Sequence, residues 1–167
     1  MRFFPILFIF FLFKSTLAFP KALDNKGMVP LLTFAGGVFN LNKESKKSAE
    51  FQIEYRFANS FFMARPMIGA FMTSKSAFYA YTGIGWDLHL SRFLVMTPSF
   101  SPGIYFKGND RDLGYPLEFR SCIEFAYKFQ SKGRLGLEFY HVSNASLGEK
   151  NPGSESLLLF YSLPLKY

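Results

Sequence analysis

Hydrophobic and polar residues alternate along most of this chain with a period of two. Over residues 49–57 every odd position is apolar and every even position is polar. In residues 117–129 the odd positions carry mainly Leu, Phe, Ile and Tyr, whereas the even positions carry mainly Glu, Arg, Cys and Lys. A β-strand turns successive side chains to opposite faces, so both segments are predicted to be strands with one apolar and one polar face.

Weaker alternation elsewhere completes a prediction of an all-β fold with eight strands. These cover residues 31–39, 48–57, 61–72, 78–88, 92–105, 116–129, 134–143 and 154–167. Pro66, Pro98 and Pro164 fall inside three of them. Proline lacks a backbone N–H and usually lies at an edge, an end or a bulge, so these residues argue against regular pairing at their positions.

The connections between the predicted strands alternate in length. Links rich in Asn, Lys, Gly and Ser, most of them long, alternate with links of three or four residues. Long loops at one end of an antiparallel meander and tight turns at the other are typical of outer-membrane barrels. Strands of about ten residues also suit a tilted membrane crossing. The predicted fold is therefore an eight-stranded antiparallel up-and-down transmembrane β-barrel.

A soluble eight-stranded barrel that holds a ligand inside, as lipocalins do, is the alternative architecture. Alternation alone does not say whether the apolar face is the lumen or the outside. The difference in loop length between the two ends favours an apolar exterior. So does the polar face, whose charges of both signs can pair inside a small filled barrel: Glu50, Glu54, Arg56, Glu118, Arg120, Glu124, Lys128, Arg134 and Glu138.

Residues 1–18 have the pattern of a secretory signal peptide. Arg2 gives a positive start, an apolar run follows at residues 3–13, and Ala18 is the small residue expected at a cleavage point. The run is too short to span a bilayer. An uncleaved amphipathic anchor is the alternative, but the run is apolar all round. Residues 19–167 are therefore predicted to form one mature barrel domain.

Composition narrows the range of partners. Aromatic residues make up 20% of the chain and must be buried in protein or in lipid. Removing Arg2 and Lys14 with the signal peptide lowers the formal charge from +7 to +5. This excess suits an anionic surface or an acidic lipid, and export makes nucleic acid the least suitable partner. The single cysteine, Cys122, excludes an intrachain disulfide.

Three polar residues interrupt the apolar face of the last two strands. His141 and Ser143 share the parity of the apolar positions in strand seven, and Glu155 shares that of the apolar positions in strand eight. Pairing His141 with Glu155 brings their Cβ atoms about 5 Å apart. His141 and Ser143 are about 7 Å apart along the strand. All three are thus predicted to lie close together at the loop end of one hairpin.

These residue types suit a Ser-His-Glu triad. Ser143 would attack a carbonyl carbon, His141 would take its proton, and Glu155 would orient the imidazole. Asn144, or backbone N–H groups of the loop that follows, could stabilise the oxyanion. In the alternative interpretation, polar residues at a barrel rim are merely solvated by lipid headgroups. No metal or cofactor is predicted, since His89 and Asp87, near a short turn, are too few for a metal site.

The run His141-Val142-Ser143-Asn144-Ala145, with Glu155 in the final strand, resembles the bacterial outer-membrane lipid A 3-O-deacylases. The match is confined to about the last thirty-five residues, and Ser146 stands where the family commonly has glycine. The resemblance implies an eight-stranded barrel that hydrolyses the 3-position acyl ester of lipid A on its outer surface. It also implies that Ser143 is the nucleophile, His141 the base, Glu155 its orienting partner and Asn144 an oxyanion donor.

The sequence therefore predicts an outer-membrane esterase whose partners are lipid A, or lipopolysaccharide, and the membrane itself. A non-catalytic structural barrel and a soluble lipid-binding barrel are the alternatives. The oligomeric state, including a homo-oligomer, is left open. Basic residues of the long loops could hold lipid phosphates or could simply be solvated: Lys43, Lys46, Lys47, Lys75, Lys107, Arg111 and Lys150.

Overall fold

The computed structural model describes residues 28–42 and 47–165. These residues form nine strands: β1 (Leu31–Phe39), β2 (Ser48–Arg56), β3 (Ala64–Thr73), β4 (Phe78–Trp86), β5 (Leu88–His89), β6 (Leu94–Phe106), β7 (Leu117–Lys128), β8 (Arg134–Ser143) and β9 (Ser154–Pro164). Among them there is no helix that is both long and apolar enough to cross a membrane. The predicted signal peptide, residues 1–18, lies outside the described residues.

The strands pair antiparallel in chain order and the sheet closes on itself. β1 pairs with both β2 and β9, and closure comes from the pairing of β4 with β6. β5 has only two residues and extends the edge of β4 along β6. The described chain thus forms a closed barrel of eight long strands, which confirms the predicted fold.

Some predicted strand bounds were wrong. β3 was expected to begin at residue 61 but begins at Ala64, because Phe61 and Ala64 pair across a tight turn. Phe62 and Met63 form this turn with φ angles of 49° and 65°, which in tight hairpins usually belong to Asn or Gly. The strand predicted at 78–88 is also split at Asp87 into β4 and β5.

The apolar face of the strands lies on the outside of the barrel. On β8, Leu135, Leu137 and Phe139 expose 43%, 53% and 42% of their surface. The alternate residues Glu138 and Tyr140 are buried in the interior. This arrangement is the one expected of a barrel surrounded by lipid, and it is opposite to that of a soluble barrel with an apolar lumen.

An ionic network fills the turn half of the interior. Asp87 accepts hydrogen bonds from Arg65 at 2.7 Å and from both terminal nitrogens of Arg134 at 2.9 and 2.6 Å. Arg56 lies 3.7 Å from the same carboxylate and binds Glu124 at 2.5 Å. Because buried charges are stable only when they are paired, the opposite signs on neighbouring strands are a requirement of the fold.

Aromatic rings fill the loop half of the interior. The ring of Phe71 lies 5.7 Å from Phe39, 5.3 Å from Tyr79 and 5.9 Å from Tyr140, measured between centroids. Tyr140 also donates a 2.6 Å hydrogen bond to Glu50. The inward residue that precedes the candidate triad on β8 is therefore packed and hydrogen-bonded, which gives the triad a rigid support.

We predict that Asp87→Asn strongly destabilises the barrel, whereas Asp112→Asn does not. Asp87 is buried among three arginines, and removing one partner of a buried ion pair costs about 3–5 kcal/mol. Asp112 forms an exposed pair with Lys107, and exposed pairs contribute about 0–1 kcal/mol. Unfolding in detergent, followed by the heat-dependent shift in gel mobility, measures both. Equal stability of the two variants would contradict the prediction.

Candidate active site

His141 and Glu155 form a hydrogen-bonded pair on the outer surface of the barrel. The two residues are opposite each other in the register of β8 and β9, as predicted. His141 Nδ1 lies 3.0 Å from Glu155 Oε1, and their side chains are 45% and 25% exposed. A carboxylate only accepts hydrogen bonds, so Nδ1 carries the proton and Nε2 is left as the basic nitrogen.

Ser143 is the last residue of β8 and points to the same outer face. It is half-buried and pairs with Phe119 of β7. Within the described chain, no hydrogen bond joins the Ser143 hydroxyl to His141 or to any other group. A catalytic hydrogen bond between serine and histidine is often absent without substrate.

Gly153 lies against the imidazole of His141. It precedes β9, in the position opposite Ser143, and has a φ of +56°. A Cβ atom here would lie 2.7 Å from Cε1 and 3.3 Å from Nε2 of His141. The Nε2 edge of the ring therefore faces the loop end of the hairpin, where Ser143 lies, and glycine leaves the space that this orientation needs.

A second serine also neighbours His141. Ser121 of β7 is directly opposite His141 on the side away from Glu155 and is exposed on the outer face. Directly opposed residues have Cβ atoms about 5 Å apart. Ser121 was not among the residues predicted from the sequence, although its parity places it with the apolar residues of β7. Among the described residues, His141 thus has two candidate nucleophiles beside it, one at the rim and one deeper in the apolar band.

Asn144 anchors the loop that follows Ser143. Its side chain is buried, and Nδ2 donates to the carbonyl oxygens of Leu113 and Lys150, both at 2.8 Å. Its Oδ1 accepts a 2.9 Å bond from the N–H of Ser146. Asn144 therefore joins two loops, and both of its side-chain N–H groups already have acceptors.

The two residues after Asn144 have left-handed backbone conformations. The φ angles are 51° for Ala145 and 65° for Ser146. Such angles favour glycine, so Ala145 and Ser146 both hold a backbone conformation that a side chain makes less favourable. In the described chain the N–H of Ala145 has no hydrogen-bond partner, whereas that of Ser146 is bound to Asn144.

The β6–β7 loop, residues 107–116, packs beside the β8–β9 loop, residues 144–153. Arg111 donates to Pro152 O at 2.9 Å and also binds Asn40 Oδ1, so it ties three loops together. A groove of about 910 Å³ runs between the two loops. At its edge, hydrogen bonds from Lys107 and from the Gly114 N–H hold the pKa of Asp112 below its usual range.

The predicted basic residues of the loops have different surroundings. Lys43 and Lys46 lie outside the described residues. Lys107 pairs with Asp112 at 2.9 Å, and the Arg111 guanidinium is held by Asn40 and Pro152. The remaining members, which have no ion pair in the described chain, are exposed or half-buried at the loop end: Lys47, Lys75 and Lys150.

One group of potential metal ligands lies in the interior, away from the triad. Cys122, Glu124 and Glu138 place their ligand atoms within 4.8 Å of one another. Glu124 already binds Arg56, and Glu138 binds Arg120. The arginines supply the positive charge that these carboxylates need, so the cluster is explained by ion pairing. Asp87, which with His89 offers too few ligands for a metal site, is likewise bound by arginines.

A closed antiparallel barrel with an apolar exterior and an ionic interior is an outer-membrane β-barrel, here with a His-Glu pair and two serines on its lipid-facing wall. The sequence matches the family "Lipid A 3-O-deacylase (PagL)" over residues 15–164. The chain therefore belongs to this family.

Individual relatives agree with this assignment. A 56-residue stretch is 39% identical to the lipid A deacylase PagL of Pseudomonas aeruginosa; it covers 34% of this chain and 32% of that protein, about a third of its length. The crystal structure of the outer membrane enzyme PagL superposes with a TM-score of 0.64 at 18% identity, covering 81% of this chain and 99% of that one. A de novo designed transmembrane β-barrel gives 0.56 at 11% identity, covering 81% and 96%. At these identities the two structures show likeness of fold.

We predict that Asn144→Ala loosens the β8–β9 loop while leaving the barrel closed. The variant loses two donated hydrogen bonds and one accepted bond, and it leaves buried carbonyl groups unpaired, at about 1–3 kcal/mol for each such group. Limited trypsin cleavage after Lys150 measures loop opening. Asn109→Ala in the adjacent exposed loop is the matched control and should be cleaved like the parent chain. Unchanged cleavage of Asn144→Ala would contradict the anchoring role.

Proposed function

We propose that this protein is an esterase that removes the 3-O-linked acyl chain of lipid A in the outer leaflet, with Ser143, His141 and Glu155 as its triad. The observation that carries the proposal is the 3.0 Å bond between His141 Nδ1 and Glu155 on the lipid-facing wall. A polar side chain on this wall faces lipid and is costly there without a function. An imidazole that is oriented by a carboxylate and has Nε2 available as a base supports catalysis at the membrane surface. Family membership supports lipid A as the substrate.

The proposed reaction has two half-reactions. Ser143 Oγ attacks the ester carbonyl carbon while His141 Nε2 takes its proton, and Glu155 offsets the charge of the resulting imidazolium. Collapse of the tetrahedral intermediate breaks the bond to the 3-oxygen of lipid A, which leaves with the proton from His141. Water then attacks the acyl-serine, again with His141 as the base, and releases the fatty acid.

The β8–β9 loop is the proposed source of oxyanion donors. Both Nδ2 hydrogens of Asn144 are donated to carbonyl oxygens. The Asn144 side chain can therefore act as the predicted oxyanion donor only if one of these two hydrogen bonds is released. The N–H of Ala145 needs no such release and lies two residues from Ser143. We therefore propose that Ala145 N–H is the first donor and that Asn144 holds the loop in the required conformation.

The position of the triad suits a lipid substrate. It lies at the loop end of the apolar wall, so acyl chains can lie on the exposed leucines of β8 and β9 while the ester bond is at headgroup level. Lys47, Lys75 and Lys150 at the same end can attract the phosphates of the substrate. The alternative nucleophile, Ser121, is deeper among Phe119, Ile123 and Phe139, where every nearby backbone N–H on β7 and β8 belongs to the strand ladder.

We predict that Ser143→Ala abolishes deacylation, whereas Ser121→Ala leaves it nearly unchanged. Each substitution removes one lipid-facing hydroxyl near His141. Comparing the two variants therefore shows which serine is the nucleophile and which is only adjacent to His141. Mass spectrometry of lipid A from cells producing each variant measures the loss of one hydroxyacyl chain. Loss of a catalytic nucleophile should lower the rate by at least about 10³-fold.

The same experiment can reject the assignment in two ways. If Ser121→Ala is inactive and Ser143→Ala is active, the nucleophile is Ser121. If the parent chain leaves lipid A unchanged in cells and in detergent, although its heat-dependent gel mobility shows a folded barrel, the protein is a non-catalytic barrel.

We predict that Gly153→Ala lowers activity about 10–100-fold without unfolding the barrel. The added methyl group would lie 2.7 Å from His141 Cε1, so the ring must turn away from Ser143, and the left-handed backbone adds about 1–2 kcal/mol of strain. Gly36→Ala on β1, where an added Cβ atom would have no neighbour closer than 3.8 Å, is the control for a glycine substitution that meets no obstruction. Full activity of Gly153→Ala would show that the orientation of the ring does not depend on this glycine.

A further inference from the structure

Three cationic side chains surround one depression at the turn end of the barrel, opposite the candidate active site. Arg92 comes from the β5–β6 turn, Lys128 from the end of β7, and Lys132 from the β7–β8 turn. The depression has a volume of about 400 Å³, and its other lining residues are Phe93, Phe129 and Gln130.

Hydrogen bonds of the backbone fix the two turns that carry these cations. The N–H of Lys128 donates to Phe93 O at 2.7 Å and so joins the two turns. Ser91 Oγ accepts bonds from the N–H groups of Phe93 and Leu94 at 3.2 and 3.1 Å, which fixes the first turn. In the second turn, Phe129 N–H donates to Gly133 O at 2.9 Å. The depression is therefore a preformed feature of two linked turns.

An aromatic row lies beside the cations. Phe93 stacks on Tyr127 with centroids 5.8 Å apart, and Tyr127 meets Phe129 edge-on at 5.1 Å. The guanidinium of Arg92 lies 5.2 Å from the Phe93 centroid. Aromatic rings of this kind lie at the interface between acyl chains and headgroups. The three cations are thus at headgroup depth, next to an apolar wall.

We propose that this depression binds the phosphate headgroup of an anionic glycerophospholipid in the leaflet at the turn end. The positive charges of Arg92 and Lys128 attract a phosphate diester, while the exposed apolar residues of β7 and β8, such as Phe125 and Leu135, accept its acyl chains. A zwitterionic headgroup brings its own cation into the same positive surroundings and binds less well. The site is at the opposite end from Ser143, so it does not depend on the proposed esterase activity.

A photoreactive phosphatidylglycerol tests the location of the site in the unaltered chain. The barrel is placed in phosphatidylcholine bilayers containing the probe, irradiated and digested, and the cross-linked peptides are identified by mass spectrometry. Cross-links should concentrate in peptides containing residues 90–94 and 127–133. Cross-links spread evenly around the barrel, or concentrated at the loop end, would overturn the proposal.

Two matched double variants test the role of charge. Arg92→Gln/Lys128→Gln removes two cations, and Arg92→Lys/Lys128→Arg keeps them. Each lost charge should weaken binding about fivefold, so the neutral variant should bind phosphatidylglycerol on the order of 25-fold more weakly. The charge-conserving variant should bind like the parent chain. Equal binding by both variants would overturn the proposal.

Competition experiments distinguish an anionic lipid from other phosphate-containing ligands. Phosphatidylglycerol should displace the probe at far lower concentration than phosphatidylcholine. Inorganic phosphate should displace it only weakly, since it cannot use the apolar wall. Equal displacement by phosphatidylcholine, or stronger displacement by inorganic phosphate, would show that the site is not one for an anionic lipid.

Discussion

The alternation of side chains across a closed sheet is the constraint on which this structure depends. A barrel wall is one residue thick, so every strand residue faces either lipid or the interior. Most inward charges on the turn half pair with each other, as Asp87 does with Arg65 and Arg134. Outward charges have no such partners except at the rims. A polar group on the outer face is therefore found near headgroup level or has a specific partner, and the His141–Glu155 pair satisfies both conditions.

This constraint also explains how the proposed active site could work on a convex wall without a deep pocket. A lipid substrate diffuses in the bilayer and meets the wall from the side, so its acyl chains need only an apolar surface. Specific geometry is needed at the reacting bond alone. It comes from the β8–β9 loop, which Asn144 anchors to Leu113 and Arg111 anchors through Pro152. The ordered loop can position groups around the reacting bond, which the flat strand surface cannot do.

Much of this arrangement could be predicted from the sequence, because the alternation of apolar and polar residues determines which face of a strand each side chain occupies. Parity placed His141, Ser143 and Glu155 on one face, and the length of the loop set their register, which the pairing of His141 with Glu155 confirms. The turn at Phe62 and Met63 could not be predicted, since neither residue favours a positive φ. The contact of Gly153 with His141 and the bonds of Asn144 depend on loop packing, on which alternation gives no information.

The height of the nucleophile on the wall decides whether both proposed half-reactions can occur. Acylation needs the ester bond, which lies where acyl chains meet headgroups. Deacylation needs water, which the hydrocarbon region excludes. Ser143, at the end of β8 and next to a polar loop, is near both. Ser121 also neighbours His141 but is flanked by Phe119 and Ile123, so an acyl group transferred to it would be shielded from water. The proposal that Ser143, not Ser121, is the nucleophile therefore rests on the different depths of the two serines in the membrane.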